Sequence, residues 1–449
     1  MPVQRYSQPQ FNPYGDDAPL GEPPTWAAPH HPSAVNAVVD LPGSKSLTNR
    51  ELILSALATE PSLVRFPMHA RDSALMIEAL RNLGVTIDEV AGESPFGPDL
   101  LVTPPEELIG STSIDCGLAG NVMRFAPLVA ALALGPTTFD GDAYARKRPM
   151  SGTIAALRAL GVDIAADHHN ALPFTVHGTG QVRGGIVEID ASASSQFVSG
   201  VLMAAPRFVD GVDLRHVGER LPSMPHIEMT IAALAARGVR VDTPVPGRWV
   251  VAPQPIAGRT VVIEPDLSNA GPFLAAAVAT AGSVTVRNWP TSTTQVGDDL
   301  LRYLPLFGAT VERIGSDVRV TGGPEVLPVT LDLHTGGELA PPLVALAALA
   351  TGTSRFTGIG HIRHHETDRL AALVAEIRGL GGDAIELEDG IEVREGQLHG
   401  GLWHAYADHR MATAGAIIGL RVPGVEVDDI GATSKTLPQF RELWNGLLE

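Results

Sequence analysis

Cysteine occurs once in this chain of 449 residues, at Cys116, so no intrachain disulfide can form and a reducing, cytoplasmic compartment is expected. No apolar run reaches the roughly 20 residues that a membrane-spanning helix needs, and the N-terminus lacks a basic-then-apolar signal. Cations are outnumbered, with 32 Lys and Arg against 50 Asp and Glu, for a formal net charge of −18. That balance opposes non-specific binding to nucleic acid or anionic membranes, so any anion site must be a local cluster of cations. Residues 1–34 are poor in aliphatics and rich in Pro and Gln, and read as a disordered arm whose removal leaves the core intact.

What the chain has instead is a repeated phrase: "ALRNLGVTID", "ALRALGVDIA", "ALAARGVRVD", "YLPLFGATVE" and "EIRGLGGDAIE". In each, an apolar-periodic helix ends at a glycine (Gly84, Gly161, Gly238, Gly308, Gly381) and a strand of alternating polarity begins. The glycines lie 70 to 77 residues apart, too far for a solenoid, so each unit must hold several strands and helices. Most units also carry an Ala-rich segment, such as "GNVMRFAPLVAALALG" or "SNAGPFLAAAVATAG", whose small residues predict helices buried within a unit. The predicted class is α/β (α+β).

Chemistry-bearing residues collect at the starts of these helices, where free backbone N–H groups and the helix dipole favour an anion. The stretch "LPGSKSLTNRELILSALA" imitates a phosphate loop, but Ser44 separates Gly43 from Lys45 and Val38 stands where the Walker pattern needs its first glycine. On a helix, Ser46 and Arg50 share a face with Lys45 at its lip. Further clusters are "DCGLAGNVMRF" with Gly120 and Arg124, "ARKRP" with Arg148, "SASSQF" with Ser194, Ser195 and Gln196, "HIRHHETDRL" with His365, Glu366 and Arg369, "YADHRMATAG" with His409 and Arg410, and "TSKTLPQF" with Lys435. Alone, the first is equally an ordinary capped helix and "ARKRP" a solvated loop. His365–Glu366 begins a zinc-protease HExxH, but its fifth position is Arg369, which cannot ligate a metal. Together, Lys45, Arg124, Arg148, Arg369, Arg410 and Lys435 predict one cleft for polyanionic ligands, with Glu338 and Glu366 as acid/base candidates.

"LPGSKSLTNR", "SSQF", "HETDRL", "DHRMA" and "SKTLPQF", in that order, resemble the 3-phosphoshikimate 1-carboxyvinyltransferase (EPSP synthase) family from about Val35 to the C-terminus, with wording most like its actinobacterial members. The resemblance implies two globular domains, each of three βαβαββ-type units in an inside-out fold, with ligands in the cleft between them. One domain is expected over residues 44–264 and the other over 35–43 plus 265–449. It implies transfer of the enolpyruvyl group of phosphoenolpyruvate to the 5-hydroxyl of shikimate 3-phosphate by addition and elimination, without a metal or organic cofactor, by a monomer. Carried over, Lys45, Ser46, Arg50, Ser194, Ser195, Gln196, Ser223, Glu338 and His365 hold shikimate 3-phosphate. Lys45, Gly120, Arg124, Arg148, Gln196, Arg369, Arg410 and Lys435 surround phosphoenolpyruvate. Lys45, Glu338 and Glu366 are the implied catalytic residues, with Glu338 taking the hydroxyl proton and Glu366 exchanging the proton at C3.

The chain departs from the family pattern at several of these places. His365 stands where Lys is common, so cationic help there is expected to depend on pH. His226 replaces a frequent Tyr, Glu338 a frequent Asp, and Leu118, Asn121 and Phe125 interrupt the common "NAGTAMRP". Retained Gly120 implies inhibition by glyphosate. Two rivals are a sister transferase acting on UDP-N-acetylglucosamine and a non-catalytic anion-binding relative. The sister typically has Asn after its lysine and a reactive loop cysteine, whereas Ser46 follows Lys45 here and Cys116 precedes an apolar helix.

Overall fold

The computed structural model describes residues 25–449, and residues 1–24 of the expected arm lie outside them. The repeated phrase is repeated structure. Gly84, Gly161, Gly238, Gly308 and Gly381 all take positive φ, between 81° and 94°, which ends the helix before each and turns the chain into the next strand. Six small sheets result, five of four strands and one of three. The four-stranded ones share one pattern. In the first, Thr260–Val262 runs parallel to Ser62–Arg65, which pairs antiparallel with Asp99–Thr103 and through it with Thr86–Val90.

The Ala-rich segments are the inner helices. Lys45–Ala56, Gly120–Ala130 and Gln196–Ala204 pack on one another in one half, and Leu267–Ala279, Ala340–Ala348 and His409–Gly419 do so in the other. All residues of Gly120–Ala130, Leu267–Ala279 and Ala340–Ala348 are buried, as a helix apolar on every face must be. Small side chains set the spacing: a Cβ on Gly200 would stand 2.6 Å from the Arg124 carbonyl oxygen on the neighbouring helix.

Two apolar cores follow, one from Leu52 to Ile263 and one joining Ala28–Leu41 to Leu267–Leu447. The chain crosses between them twice, and the crossings run side by side. Gly43 bridges Pro265, Ser44 N–H donates to Glu264 O at 2.8 Å, and Asp266 N–H donates to Pro42 O at 2.9 Å. Gly43 has no room for a side chain, since a Cβ there would meet the Phe66 carbonyl oxygen at 2.0 Å.

The expected arm is corrected at its C-terminal end. Trp26–Ala27 is a strand antiparallel to Val425–Val427 and completes the sixth sheet, Ala28 is buried, and His31 N–H donates to Leu420 O at 3.0 Å. The sixth unit supplies only Gly401–Trp403 and Val425–Val427 to its sheet, so an edge is left for the N-terminal segment to cover. A two-residue strand leaves no periodicity to read in a Pro-rich stretch. Among the described residues, no helix is long and apolar enough to cross a membrane.

Candidate active site

Lys45, Gly120, Gln196, Arg369 and His409 are each the first residue of a helix, and Glu338 sits in the turn Gly337–Leu339 that leads into Ala340–Ala348. Helix starts from both halves, each bringing the positive end of its dipole, come together, as the approaches of Lys435 Nζ to Leu118 O and of His226 to Glu338 show.

Three of the six predicted cations have no carboxylate partner among the described residues: Arg124, Arg148 and Arg410. Arg124 donates only to carbonyls, Pro149 O at 2.9 Å and Gly120 O at 3.5 Å, and Arg148 donates to Leu118 O at 2.9 Å. Both are buried, and the Nε–H of each has no acceptor. Burial first, and then the neighbouring Arg148 charge, push the Arg124 pKa well down against the weaker pull of Glu366, as expected of two like charges held close out of water. Gly120 lies against this pair: a Cβ there would be 2.9 Å from Arg124 Nη1 and 3.2 Å from both Arg148 Nη2 and Gln196 Oε1. Gln196 Oε1 is itself buried without a donor. The group combines two buried guanidinium groups with N–H donors that have no acceptor, the chemistry that an anion would satisfy.

A second recess is lined by Lys45, Ser46, His226, Ser268, Glu338 and Arg410. Lys45 is held at both ends, its Nζ 3.2 Å from Asp72 Oδ2 and its backbone N–H 3.1 Å from Asp266 Oδ2. Glu338 Oε1 accepts from Ser268 Oγ at 2.6 Å and its Oε2 lies 3.3 Å from His226 Nε2. Burial pushes the Glu338 pKa up, but His226, Arg410, the Ser268 hydroxyl and Lys45 outweigh it and bring the value down to about 2. Burial pushes His226 down, and Arg50, Lys45 and Arg410 add to this against the pull of Glu338, so the ring is neutral near pH 7. The cationic side chains and the hydroxyl therefore keep Glu338 ionised there. Arg50 is buried beneath this recess with its guanidinium committed to the protein, donating to Thr230 Oγ1 at 2.8 Å, Ser46 O at 2.9 Å and His226 O at 2.9 Å. Burial lowers its pKa to about 10.

Glu366 forms the third cluster, between Lys435 Nζ at 2.6 Å and Arg369 Nη2 at 2.9 Å. Burial opposes its charge, but Lys435, Arg369 and Arg148 overcome that and hold the carboxyl well below the usual range. Arg369 also forks onto Asp408, at 2.7 and 3.0 Å, while Lys435 reaches across to Leu118 O at 3.3 Å in the other half. His365 differs from expectation. Burial and the Arg369 charge push its pKa well below the ordinary histidine range, and its Nδ1 lies 2.9 Å from Arg369 Nη1, so the neutral ring accepts a hydrogen bond instead of adding a cation. His409 is likewise buried and pushed down, with neither ring nitrogen hydrogen-bonded.

Ser194 Oγ accepts from Gln196 N–H at 3.2 Å, Ser195 is buried at the helix start, and Ser223 takes φ of 53° just before helix Met224–Ala235. Sequence reasoning missed Asp72, Asp266, Ser268 and Asp408, acidic or hydroxyl groups whose only signal was a place at or near a helix start. Cys116 is fully buried and burial pushes its thiol pKa up, which removes it as a nucleophile. Among the described residues, the one group of three ligating side chains within reach of a shared ion is the exposed Asp167, His168 and His169.

The family model described as EPSP synthase (3-phosphoshikimate 1-carboxyvinyltransferase) matches residues 29–444. A 3-phosphoshikimate 1-carboxyvinyltransferase of Kocuria rhizophila is 54% identical over 431 residues, covering 94% of this chain and 96% of that relative. Two solved structures of EPSP synthase from Acinetobacter baumannii superpose with TM-scores of 0.76 and 0.75 at 23% and 22% identity, covering 94% of this chain and 97% of theirs. At that identity the solved structures bear on the fold, and the Kocuria relative on the chemistry.

Proposed function

Since the chain belongs to the EPSP synthase family, we propose that the three clusters divide its two substrates and two proton transfers between them. The reaction joins shikimate 3-phosphate to the 1-carboxyvinyl group of phosphoenolpyruvate in the shikimate pathway, releasing phosphate. In our reading, residues 44–264 and residues 35–43 plus 265–449 are the two bodies that close on the substrates, with the paired crossings at Gly43 and Pro265 as the hinge. Both sides of the cleft come from one chain, so a monomer suffices.

The observation that carries the assignment is the unpaired Arg124–Arg148 pair beside Gly120. It is matched to phosphoenolpyruvate, whose phosphate and carboxylate can take up the free N–H groups, with Arg410, Lys435, Arg369 and Gln196 completing the surround. Shikimate 3-phosphate is assigned to the recess of Lys45 and Ser46, with Ser194, Ser195 and Ser223 on its rim, Arg50 bracing its floor and His365 backing Arg369. Glu338 removes the 5-hydroxyl proton as that oxygen bonds to C2, and C3 gains a proton through Glu366. Glu366 is a carboxylate at rest, so it must first receive that proton. Lys435, 2.6 Å away and with its own pKa lowered by burial, is the nearest source. Phosphate then leaves as Glu366 takes a C3 proton back, while Lys45 stabilises the developing charge.

The direct test is phosphate release from phosphoenolpyruvate with shikimate 3-phosphate, UDP-N-acetylglucosamine or no acceptor. Release with shikimate 3-phosphate alone is expected; release with the nucleotide sugar, or binding without release, would overturn the reading. Gly120→Ala tests the cradle separately. Its methyl would crowd Arg124, Arg148 and Gln196, so KM for phosphoenolpyruvate should rise roughly tenfold while kcat and KM for shikimate 3-phosphate move little. Glyphosate, a ligand of the same cradle, should inhibit the wild type and lose potency against this variant.

A further inference from the structure

Glu338 precedes Leu339 of the second core and His226 precedes Ile227 of the first, so their contact is made across the cleft. Within its own half Glu338 has one side-chain donor, Ser268 Oγ, on Oε1. Among the described residues the second oxygen accepts no hydrogen bond; His226 Nε2 lies 3.3 Å from it, at ion-pair distance but not aligned as a donor. Burial and the three cations that face the ring, Arg50, Lys45 and Arg410, keep His226 neutral. From 3.3 Å, a small rotation of the neutral ring in its Nε2–H tautomer would bring the N–H onto the carboxylate.

The ring is also aimed by its own half. The His226 carbonyl accepts from Arg50 Nη2 at 2.9 Å and Thr230 Oγ1 at 3.0 Å, and its N–H donates to Ser223 O at 3.0 Å, where the chain turns through φ of 53°. Arg50 therefore braces the first turn of the helix Met224–Ala235 instead of standing free.

We propose that His226 is a positioning residue for Glu338: as the two halves close, its Nε2–H comes into line with Oε2 and delivers the second hydrogen bond to the base from the opposite half, so the carboxylate is oriented for the hydroxyl proton only when the halves have met. This ties proton removal to closure and keeps the base loosely held while the cleft is open. Throughout the step His226 stays neutral and only donates. The proton passes from the substrate hydroxyl to Glu338, and no other bond to hydrogen changes hands at the ring. The inference rests on the assignment of Glu338 as base.

His226→Phe keeps the volume and removes the donor, whereas His226→Gln retains an N–H near the place of Nε2. The expected result for His226→Phe is a fall in kcat of about tenfold, the weight of one charge-assisted hydrogen bond, with KM for both substrates within about twofold. His226→Gln should recover most of the rate. In a Glu338→Gln background, His226→Phe should cost less than about twofold, because its route of action is already gone. If the phenylalanine disturbs the helix, visible as a lowered Tm, His226→Asn, too short to reach Glu338, takes its place. Wild-type kcat in the donor-free variants, no recovery with Gln, or an undiminished loss in the Glu338→Gln background would each overturn the proposal. These comparisons require a wild type that turns over shikimate 3-phosphate, so an inactive wild type refutes the base assignment first and is told apart from a failure of His226.

Discussion

Glu338→Gln is expected to lower kcat by about a hundredfold or more, the usual worth of a positioned general base, with little change in KM for phosphoenolpyruvate. The amide preserves the shape and still accepts from Ser268 Oγ, so the loss reports proton removal and not collapse of the recess. A base with a pKa near 2 is weak in the free protein, and the reason it is weak also explains how it becomes useful. Apart from burial, which raises it, the value is set by His226, Arg410, Ser268 and Lys45. Bound phosphate and carboxylate groups neutralise Arg410 and Lys45, so substrate binding itself lifts the Glu338 pKa towards the working range. Because the shift is downward, the carboxylate persists as pH falls until the pH nears the folded value. Loss of kcat/KM, which reports the free protein, at mildly acidic pH must therefore have another cause, and Glu338→Gln should leave the position of that loss unchanged.

Glu366→Gln should also cost about a hundredfold or more in kcat, but with a different companion effect. Glu366 neutralises Lys435 and Arg369 and faces Arg148, so removing its charge strengthens the positive field of the cradle. KM for phosphoenolpyruvate should stay level or fall while kcat collapses, the mark of an interaction used in the transition state and not in substrate binding. The variant should fold, because the Gln oxygen can still accept from Lys435 and Arg369 keeps its fork on Asp408. A variant whose KM rises in step with its fall in kcat would instead make Glu366 a binding group.

The glycine-ended helices, the buried Ala-rich helices and the helix-start location of Lys45, Gly120, Gln196, Arg369 and His409 were legible because each depends on residues close together in the chain. What was not legible depends on contacts between distant segments. Trp26–Ala27 is a strand only because Val425–Val427 offers an edge. Asn36–Val39 pairs in parallel with Ser283–Val286, and Thr260–Val262 with Ser62–Arg65, closures that no local pattern announces. The same holds inside the site. Arg50 and Arg124 look alike in sequence, each four residues beyond a helix-start motif, yet the fold spends the Nε–H of Arg50 on Thr230 and leaves that of Arg124 without an acceptor. His365 could be expected to titrate from its type alone, and only its burial against Arg369 makes it neutral.

The division of labour between the two carboxylates is tested most directly by supplying each variant with the isolated tetrahedral intermediate and following its breakdown in both directions. Forward breakdown needs removal of a C3 proton and loss of phosphate; reversal needs removal of a C3 proton and return of a proton to the 5-oxygen. Glu338→Gln should therefore still convert the intermediate to product and phosphate while reversal to the two substrates is suppressed, and Glu366→Gln should leave it intact along both paths. Equal suppression of both paths in Glu338→Gln, or wild-type breakdown by Glu366→Gln, would contradict the assignment.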